Sequence, residues 1–176
     1  TGTKDATTFL RGDNTFATPS ISGAYESALL HVEDQKTSGT TGGQSSGTNV
    51  LFARDLNTVV TNEITGASLS SNQITLPSGS YYIHAESPYA KTNIVKAYLY
   101  NVTDSSKEII GTSEYNNQGV FSQNKATVVG RFTISAQKVF ELQMFVGASN
   151  SQNLGVASSI SSEVEKYTVV KIWKVA

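Results

Sequence analysis

The chain has 176 residues, of which 38% are hydrophobic and 15% are charged, and its formal net charge at pH 7 is −1. The length predicts one domain, or one domain with an arm. The near-neutral charge gives no electrostatic basis for binding nucleic acid, no apolar run is long enough to insert into a membrane, and the absence of cysteine excludes disulfides and thiol chemistry.

The first 22 residues differ from the rest, because Phe9, Leu10, Phe16 and Ile21 are their main apolar anchors. Such a segment cannot build a core, and we expect two short extended pieces around a turn at residues 11–14. The stretch FLRGDNTFATP resembles segments that recur in bacteriophage tail-fibre and tail-collar proteins, with Asn14 where the commoner form has Gly. The resemblance implies an arm, residues 1–23, that joins the domain to an upstream fibre shaft, and a chain that is the end of a longer protein.

The triplet Arg11-Gly12-Asp13 also spells an integrin-binding tripeptide. Turn chemistry explains it equally well, because Gly and Asp are favoured in turns for backbone reasons. Three-residue motifs occur often by chance. The turn is therefore the favoured interpretation, and adhesion is the alternative.

The remainder alternates between apolar and polar residues, which predicts short strands separated by turns. The predicted strands are residues 25–33, 49–54, 56–61, two within 73–89, then 94–101, 107–113, 125–134, 139–146 and 165–175. Residues 34–48 predict a flexible, exposed loop rich in Gly and Ser, and residues 147–162 predict a second loop. About ten strands without a helical pattern are typical of a β-sandwich or barrel.

The clearest local pattern is QITLPSGSYYIHAESPY, residues 73–89. Ile74 and Leu76 alternate with polar residues before Pro77-Ser78-Gly79, whose residue types favour a turn. Beyond the turn, Tyr81, Ile83 and Ala85 share one face, and Tyr82, His84 and Glu86 share the other. We predict a β-hairpin here.

A polar run, ITLPSG and then a Tyr-rich strand resemble the central part of jelly-roll domains of the C1q/TNF type. The order of the predicted strands over residues 24–176 agrees with that family. The resemblance implies an all-β, ten-stranded antiparallel jelly-roll sandwich whose last strand lies centrally in the inner sheet. It also implies association as a compact homotrimer.

The sequence contains two histidines, and each begins an H-x-E pattern: His31-Val32-Glu33 and His84-Ala85-Glu86. On a strand, residues i and i+2 share a face, so each His lies beside its Glu. If the C1q/TNF-like resemblance holds, both strands belong to the inner sheet and His31, His84, Tyr82 and Trp173 are candidates for the trimer interface. Three copies of a His near an axis could hold a metal, although a hydrogen-bonded His at a polar interface is the simpler interpretation.

No pattern of nucleophile and base, paired carboxylates or phosphate loop is visible, so we expect neither an enzyme nor a cofactor. A depolymerase would need paired carboxylates, and Glu108, Glu114 and Glu141 have no evident pairing. Binding is then the natural role, through Tyr and Asn in loops. The candidates are Tyr115, Asn116, Asn117, Phe121, Asn150 and Asn153.

Taken together, these patterns predict the trimeric tip of a phage tail fibre on the virion, which binds a host cell-surface saccharide or protein through apical loops. Two alternatives stay open. One is a trimerisation cap that assembles the fibre and binds nothing. The other is a C1q/TNF-like adhesion module of a cellular organism.

Overall fold

A computed structural model of the chain describes residues 8–10, 12–17, 28–120 and 122–175. Every regular element in this part is a β-strand, and it contains no helix that could cross a membrane. The strands are β1 (Phe9–Leu10), β2 (Phe16–Ala17), β3 (Ala28–Lys36), β4 (Leu51–Ala53), β5 (Thr58–Asn62), β6 (Ser68–Ser70), β7 (Gln73–Leu76), β8 (Gly79–Ala90), β9 (Asn93–Asn101), β10 (Ser106–Asn116), β11 (Gln123–Ile134), β12 (Lys138–Val146) and β13 (Glu165–Val175).

The strands form three antiparallel sheets. β1 and β2 pair with each other around a turn in which Asp13 accepts hydrogen bonds from the backbone and hydroxyl of Thr15. The five-stranded sheet has the order β11-β8-β13-β3-β5, and the six-stranded sheet has the order β10-β9-β12-β7-β6, with β4 also paired to β12. The predicted all-β jelly-roll sandwich with a central last strand is therefore confirmed, although thirteen strands are described rather than ten. The additional strands are β1, β2 and β6.

The predicted hairpin at residues 73–89 is wrong. β7 pairs with β6 and β12 in the six-stranded sheet, whereas β8 pairs with β11 and β13 in the five-stranded sheet. Pro77-Ser78 is thus a corner between sheets, which the Tyr81 hydroxyl closes by donating to the Pro77 carbonyl oxygen at 2.7 Å. The alternation of residues gives the face of a strand but not its partner, and both strands do bury the predicted faces.

The hairpin lies one strand earlier, between β6 and β7. Its two central residues, Ser71 and Asn72, have φ angles of 51° and 65°. Positive φ at both positions is the requirement of a type I′ turn, which suits the twist of a two-residue hairpin. The sequence does not indicate this turn clearly, because Ser-Asn is a weaker signal for a type I′ turn than Asn-Gly.

The core lies between the two large sheets. The rings of Tyr81 and Phe132 from the five-stranded sheet stack with centroids 5.4 Å apart, and Phe132 meets Phe140 of the six-stranded sheet edge to face, also at 5.4 Å. Fully burying side chains of this size stabilises the fold by about 1.5–3 kcal/mol each. The aromatic contacts therefore join the sheets whose outward faces carry the candidate sites.

The two long loops pack against each other, so the predicted exposure of residues 34–48 is wrong in part. Gly42 donates to the carbonyl of Gly155, and Leu154 donates to the carbonyl of Gly43. Asp34 belongs to β3 and is buried, as is Ser45. A Cβ on Gly42 would lie 2.3 Å from the Leu154 carbonyl oxygen, so this approach requires glycine.

Candidate functional site

The outward face of the five-stranded sheet carries three lateral rows of side chains, because neighbouring strands place facing residues side by side. The first row is Leu29, Trp173, Tyr82 and Arg131. The second row is His31, Lys171, His84 and Val129, and the third is Glu33, Val169, Glu86 and Thr127. The face thus changes along the strands from aromatic to basic to acidic.

The aromatic row is centred on Trp173, whose ring centroid lies 6.0 Å from that of Tyr82. Both side chains are half-buried, and Val129 in the next row is exposed. Both trimer-interface candidates of this row therefore lie where another copy of the sheet could cover them.

His31 is the more enclosed of the two histidines. Its Nε2 lies 2.9 Å from Glu33 Oε1, although the two atoms are not aligned for a hydrogen bond. Burial lowers the pKa of His31, with a smaller opposing effect of the Glu33 carboxylate. Burial by itself would raise the pKa of Glu33, but hydrogen bonds from Gln35 and Lys166 outweigh it, so that the pKa is lowered.

His84 stands in the same row but is more exposed, with its Nε2 3.7 Å from Glu86 Oε1. Glu86 is held instead by Lys125, whose Nζ lies 2.6 Å from Oε2, and this hydrogen bond lowers the pKa of the Glu86 carboxyl. Lys171 lies between the two histidines in the register, which separates them by about 9.5 Å. The described residues contain no cluster of three or more metal-ligating side chains. A metal held by three copies of a histidine on a threefold axis, the less favoured of the two interpretations, is not tested by a single chain.

The first set of loop candidates lies at the end of β10, which extends past the strand end predicted at Ser113, so that Tyr115 and Asn116 belong to the strand and Asn117 follows it. Tyr115 and Asn117 are exposed, whereas Asn116 is buried. The Asn116 amide donates to the backbone oxygen and hydroxyl of Ser122, and its oxygen accepts the N–H of Lys91. Asn116 thus holds the loop in place, and Phe121 lies outside the described residues. Of these candidates, Tyr115 and Asn117 are exposed, and receptor binding by them stays a prediction.

The second candidate loop contains Asn150 and Asn153, whose amides serve the fold. Asn153 is fully buried, where its oxygen accepts the N–H of Ser45 and its nitrogen donates to the Ser45 hydroxyl. Asn150 donates to the carbonyl oxygens of Ala90 and Lys91. Neither amide is presented to solvent as a contact group, although the prediction of receptor binding by this loop is not thereby tested.

Glu165 fastens both long loops at the start of β13. Its carboxylate accepts the N–H groups of Gly39, Ser158 and Ser159 at 3.1, 3.0 and 2.7 Å. Those backbone hydrogen bonds, Ser158 first, lower the pKa of Glu165 to about 2. The sequence gives no signal for this role because the Gly39 donor comes from a loop 126 residues away, although Ser158 and Ser159 lie just before the strand.

The three glutamates considered for glycan hydrolysis each bind a neutral donor. Glu141 accepts from Gln73 and Gln143, Glu114 accepts from the Tyr89 hydroxyl, and Glu108 accepts from Asn101. These hydrogen bonds tie each carboxylate to a neighbouring side chain of the fold.

A groove of about 730 Å³ on the outward face of the six-stranded sheet was not predicted. Its lining residues come from β9, β10, β12 and the segment that leads into β4: Asn49, Val50, Leu51, Ile94, Val95, Lys96, Tyr98, Lys107, Ser113, Glu114 and Phe145. The only part of this groove that the sequence indicates is the face of β9, because the alternation along the strand places Ile94, Lys96 and Tyr98 on one side. β10 follows β9 directly in the chain, but the walls from β12 and from residues 49–51 are distant in sequence, so the sequence alone does not bring all of them together.

Comparison with known proteins identifies the architecture. No protein-family model and no curated protein matches the sequence. Murine APRIL at pH 8.0 superposes with a TM-score of 0.57 at 10% identity, covering 85% of this chain and 99% of APRIL. The chain has a C1q/TNF-like fold. The globular domain of zebrafish complement 1qA gives 0.53 at 10% identity (86% and 98% covered), and Eiger TNF from S. frugiperda gives 0.53 at 12% (85% and 93%).

At such identities the similarity concerns the fold alone. Within a C1q/TNF-like fold, the five-stranded sheet with the last strand at its centre corresponds to the inner sheet that the sequence resemblance implied. His31, His84, Tyr82 and Trp173 all lie on its outward face. The four interface candidates, which are scattered over the sequence, thus share one surface.

Proposed function

We propose that the chain is a non-enzymatic recognition module that works as a homotrimer through the outward face of its five-stranded sheet. The observation that supports this most is the pair of half-buried aromatic side chains Tyr82 and Trp173, which lie between Leu29 and Arg131 in one row, with the exposed Val129 in the next row. Apolar groups gathered on one flat sheet face are typical of an interface rather than of a solvated surface. A closed threefold arrangement would bury that face in every copy.

The charged rows agree with such an assembly. His31, Lys171 and His84 form a basic row directly beside Glu33 and Glu86. Within one chain, His31 lies 2.9 Å from Glu33 and His84 lies 3.7 Å from Glu86 across the two rows. Lys166 and Lys125, which lie outside the rows, pair with the same two glutamates. Rows of opposite charge fix how two copies can align at an interface, and they disfavour partners that would bring like charges together.

The setting of the module has two candidates. A C1q/TNF-like module that recognises a surface or another protein is supported by neighbours from mouse, zebrafish and S. frugiperda. The tip of a bacteriophage tail fibre, with a host receptor and an upstream shaft as its partners, is supported by the segment Phe9–Pro19 alone. The fold comparison favours the first setting. A trimeric module would gain avidity in either one, because several weak sites engage one surface together.

The mass of the chain in solution, by light scattering, tests the assembly. We expect three times the chain mass of 18.8 kDa. A monomer at micromolar concentration would overturn the trimer and leave a single β-sandwich binding module. Blocking of phage adsorption by the purified chain would then distinguish the fibre tip from the other setting.

A further inference from the structure

The groove on the six-stranded sheet combines apolar walls with cations. Phe145, Ile94 and Leu51 supply apolar surface, and the Tyr98 ring is covered at 4.4 Å by the Nζ of Lys107. Asn49, Ser113 and the Tyr98 hydroxyl add neutral polar groups around it. An open groove of this composition suits a ligand that has one apolar face and a polar edge.

The charge of the groove is not balanced by the protein. Within the described part of the chain, neither Lys96 nor Lys107 forms an ion pair, whereas Lys36, Lys125, Lys138 and Lys166 each do. Glu114 is the acidic residue of the lining, and its Oε2 accepts the Tyr89 hydroxyl at 3.3 Å. Two ammonium groups against one carboxylate leave the lining with an excess of positive charge, which suits an anionic ligand.

We propose that this groove binds a carboxylated saccharide. The C–H face of a pyranose ring is apolar and packs against the Phe145 and Ile94 side of the groove, next to the Tyr98 ring over which Lys107 lies. The hydroxyls at its edge reach Asn49 and Ser113, and its carboxylate pairs with Lys96 and Lys107 in charge-assisted hydrogen bonds. A neutral sugar would leave both ammonium groups unpaired, and a purely apolar acid would leave the polar rim unused. The proposal rests on the recognition role above, but not on the trimer.

The first experiment is an NMR titration of amide shifts with the full chain. The probes are the methyl glycosides of glucuronic acid, galacturonic acid and N-acetylneuraminic acid, each compared at equal ionic strength with uncharged methyl glucoside and methyl galactoside. We expect at least one acidic probe to shift the amides of Lys96, Tyr98 and Phe145 with a Kd of about 1 mM, at least about tenfold tighter than the uncharged glycosides. Added salt should weaken this binding.

Variants locate the binding. Lys96→Gln should weaken the acidic probe about tenfold while leaving the uncharged probe unchanged, and Lys96→Arg should retain most of the affinity. Tyr98→Ala should weaken both probes. Lys174→Gln on the five-stranded sheet removes a lysine that likewise has no ion pair among the described residues, and it should change neither. Circular dichroism of each variant checks that it is folded.

Several results would overturn the proposal. These are no shift with any acidic probe up to about 20 mM, equal binding of charged and uncharged sugars, or shifts confined to other parts of the chain. Cyclohexanecarboxylate binding as tightly as the best sugar acid would make the groove a site for apolar acids instead. Light scattering on the same samples separates the two proposals, because a monomer that still binds the sugar would contradict only the trimer.

Discussion

The two outward faces of the sandwich obey the same alternation of residues but differ in shape and charge. The five-stranded face carries an aromatic, a basic and an acidic row, and its Glu86 and Glu33 pair with Lys125 and Lys166, whereas Lys171 and Lys174 form no ion pair among the described residues. The six-stranded face has a groove in which neither Lys96 nor Lys107 has a carboxylate partner among the described residues. The difference teaches that shape, together with the placement of the carboxylates, distinguishes a face that another copy could cover from a groove that could hold a ligand.

The largest expected effect comes from a substitution in the core, which supports both sheets. Phe140→Ala deletes the ring that meets Phe132 across the core, and it should lower the free energy of unfolding by about 3–5 kcal/mol. Chemical denaturation measures this loss. A conservative control is Phe140→Leu, which keeps most of the apolar volume and should lose much less. An unchanged midpoint for the Ala variant would contradict the placement of this ring between the sheets.

The next largest effect distinguishes the proposed roles of the two faces, one in association and the other in binding the sugar. Trp173→Glu places a carboxylate in the proposed interface and should weaken association by about 2–3 kcal/mol, so that light scattering gives a lower mass. Phe145→Glu is the matched exchange on the other face. It should leave the mass unchanged and abolish binding of the acidic sugar, because it adds negative charge to the groove. If both variants changed the mass, the assignment of the two faces would be wrong.

A smaller effect concerns the loops that join the faces at one end. Asn153→Ala leaves the Ser45 N–H without its partner in a buried position, and we expect a loss of about 1–3 kcal/mol in unfolding free energy. Asn117→Ala in the other loop removes an exposed amide whose oxygen accepts the N–H of Gly119, and because water can replace this hydrogen bond the loss should stay below about 0.5 kcal/mol. Equal losses would contradict the division between a structural and an exposed asparagine.

The smallest effect is a pH dependence that one face has and the other lacks. Because the folded pKa of His31 is below the ordinary value of 6.5, the stability that neutral His31 provides is complete above pH 6.5. It is lost as the pH falls from 6.5 towards the folded pKa. Glu33, Lys171, Lys166 and Thr61 surround this imidazole, and protonation adds a charge to the basic row.

Unfolding measured between about pH 7.5 and 5.5 should therefore show a decline that His31→Gln removes. His84→Gln is the control, because His84 is more exposed and makes a longer contact with its glutamate. The groove lining contains no histidine, so sugar affinity should stay constant over the same range. A decline that survives His31→Gln would assign the pH dependence to another group.

The sequence by itself determined the fold class and the faces of the strands. Apolar and polar residues alternate with the period of a strand, and this local pattern predicted that Tyr81 and Ile83 point inward while Tyr82 and His84 point outward. It also predicted the short extended pieces around the turn of the arm, which the described residues Phe9–Leu10 and Phe16–Ala17 contain. These features depend on neighbours in the chain, so a single sequence contains them.

The tertiary structure alone decided which strands pair and what the polar residues bind. β7 and β8 are separated by two residues yet enter different sheets, because hydrogen-bond partners come from β12 and β13, far along the chain. The groove needs four distant segments, and Asn116 and Asn153 became structural because remote backbone groups required partners. Alternation along a strand is a local property, whereas strand pairing and the satisfaction of buried polar groups are properties of the whole fold.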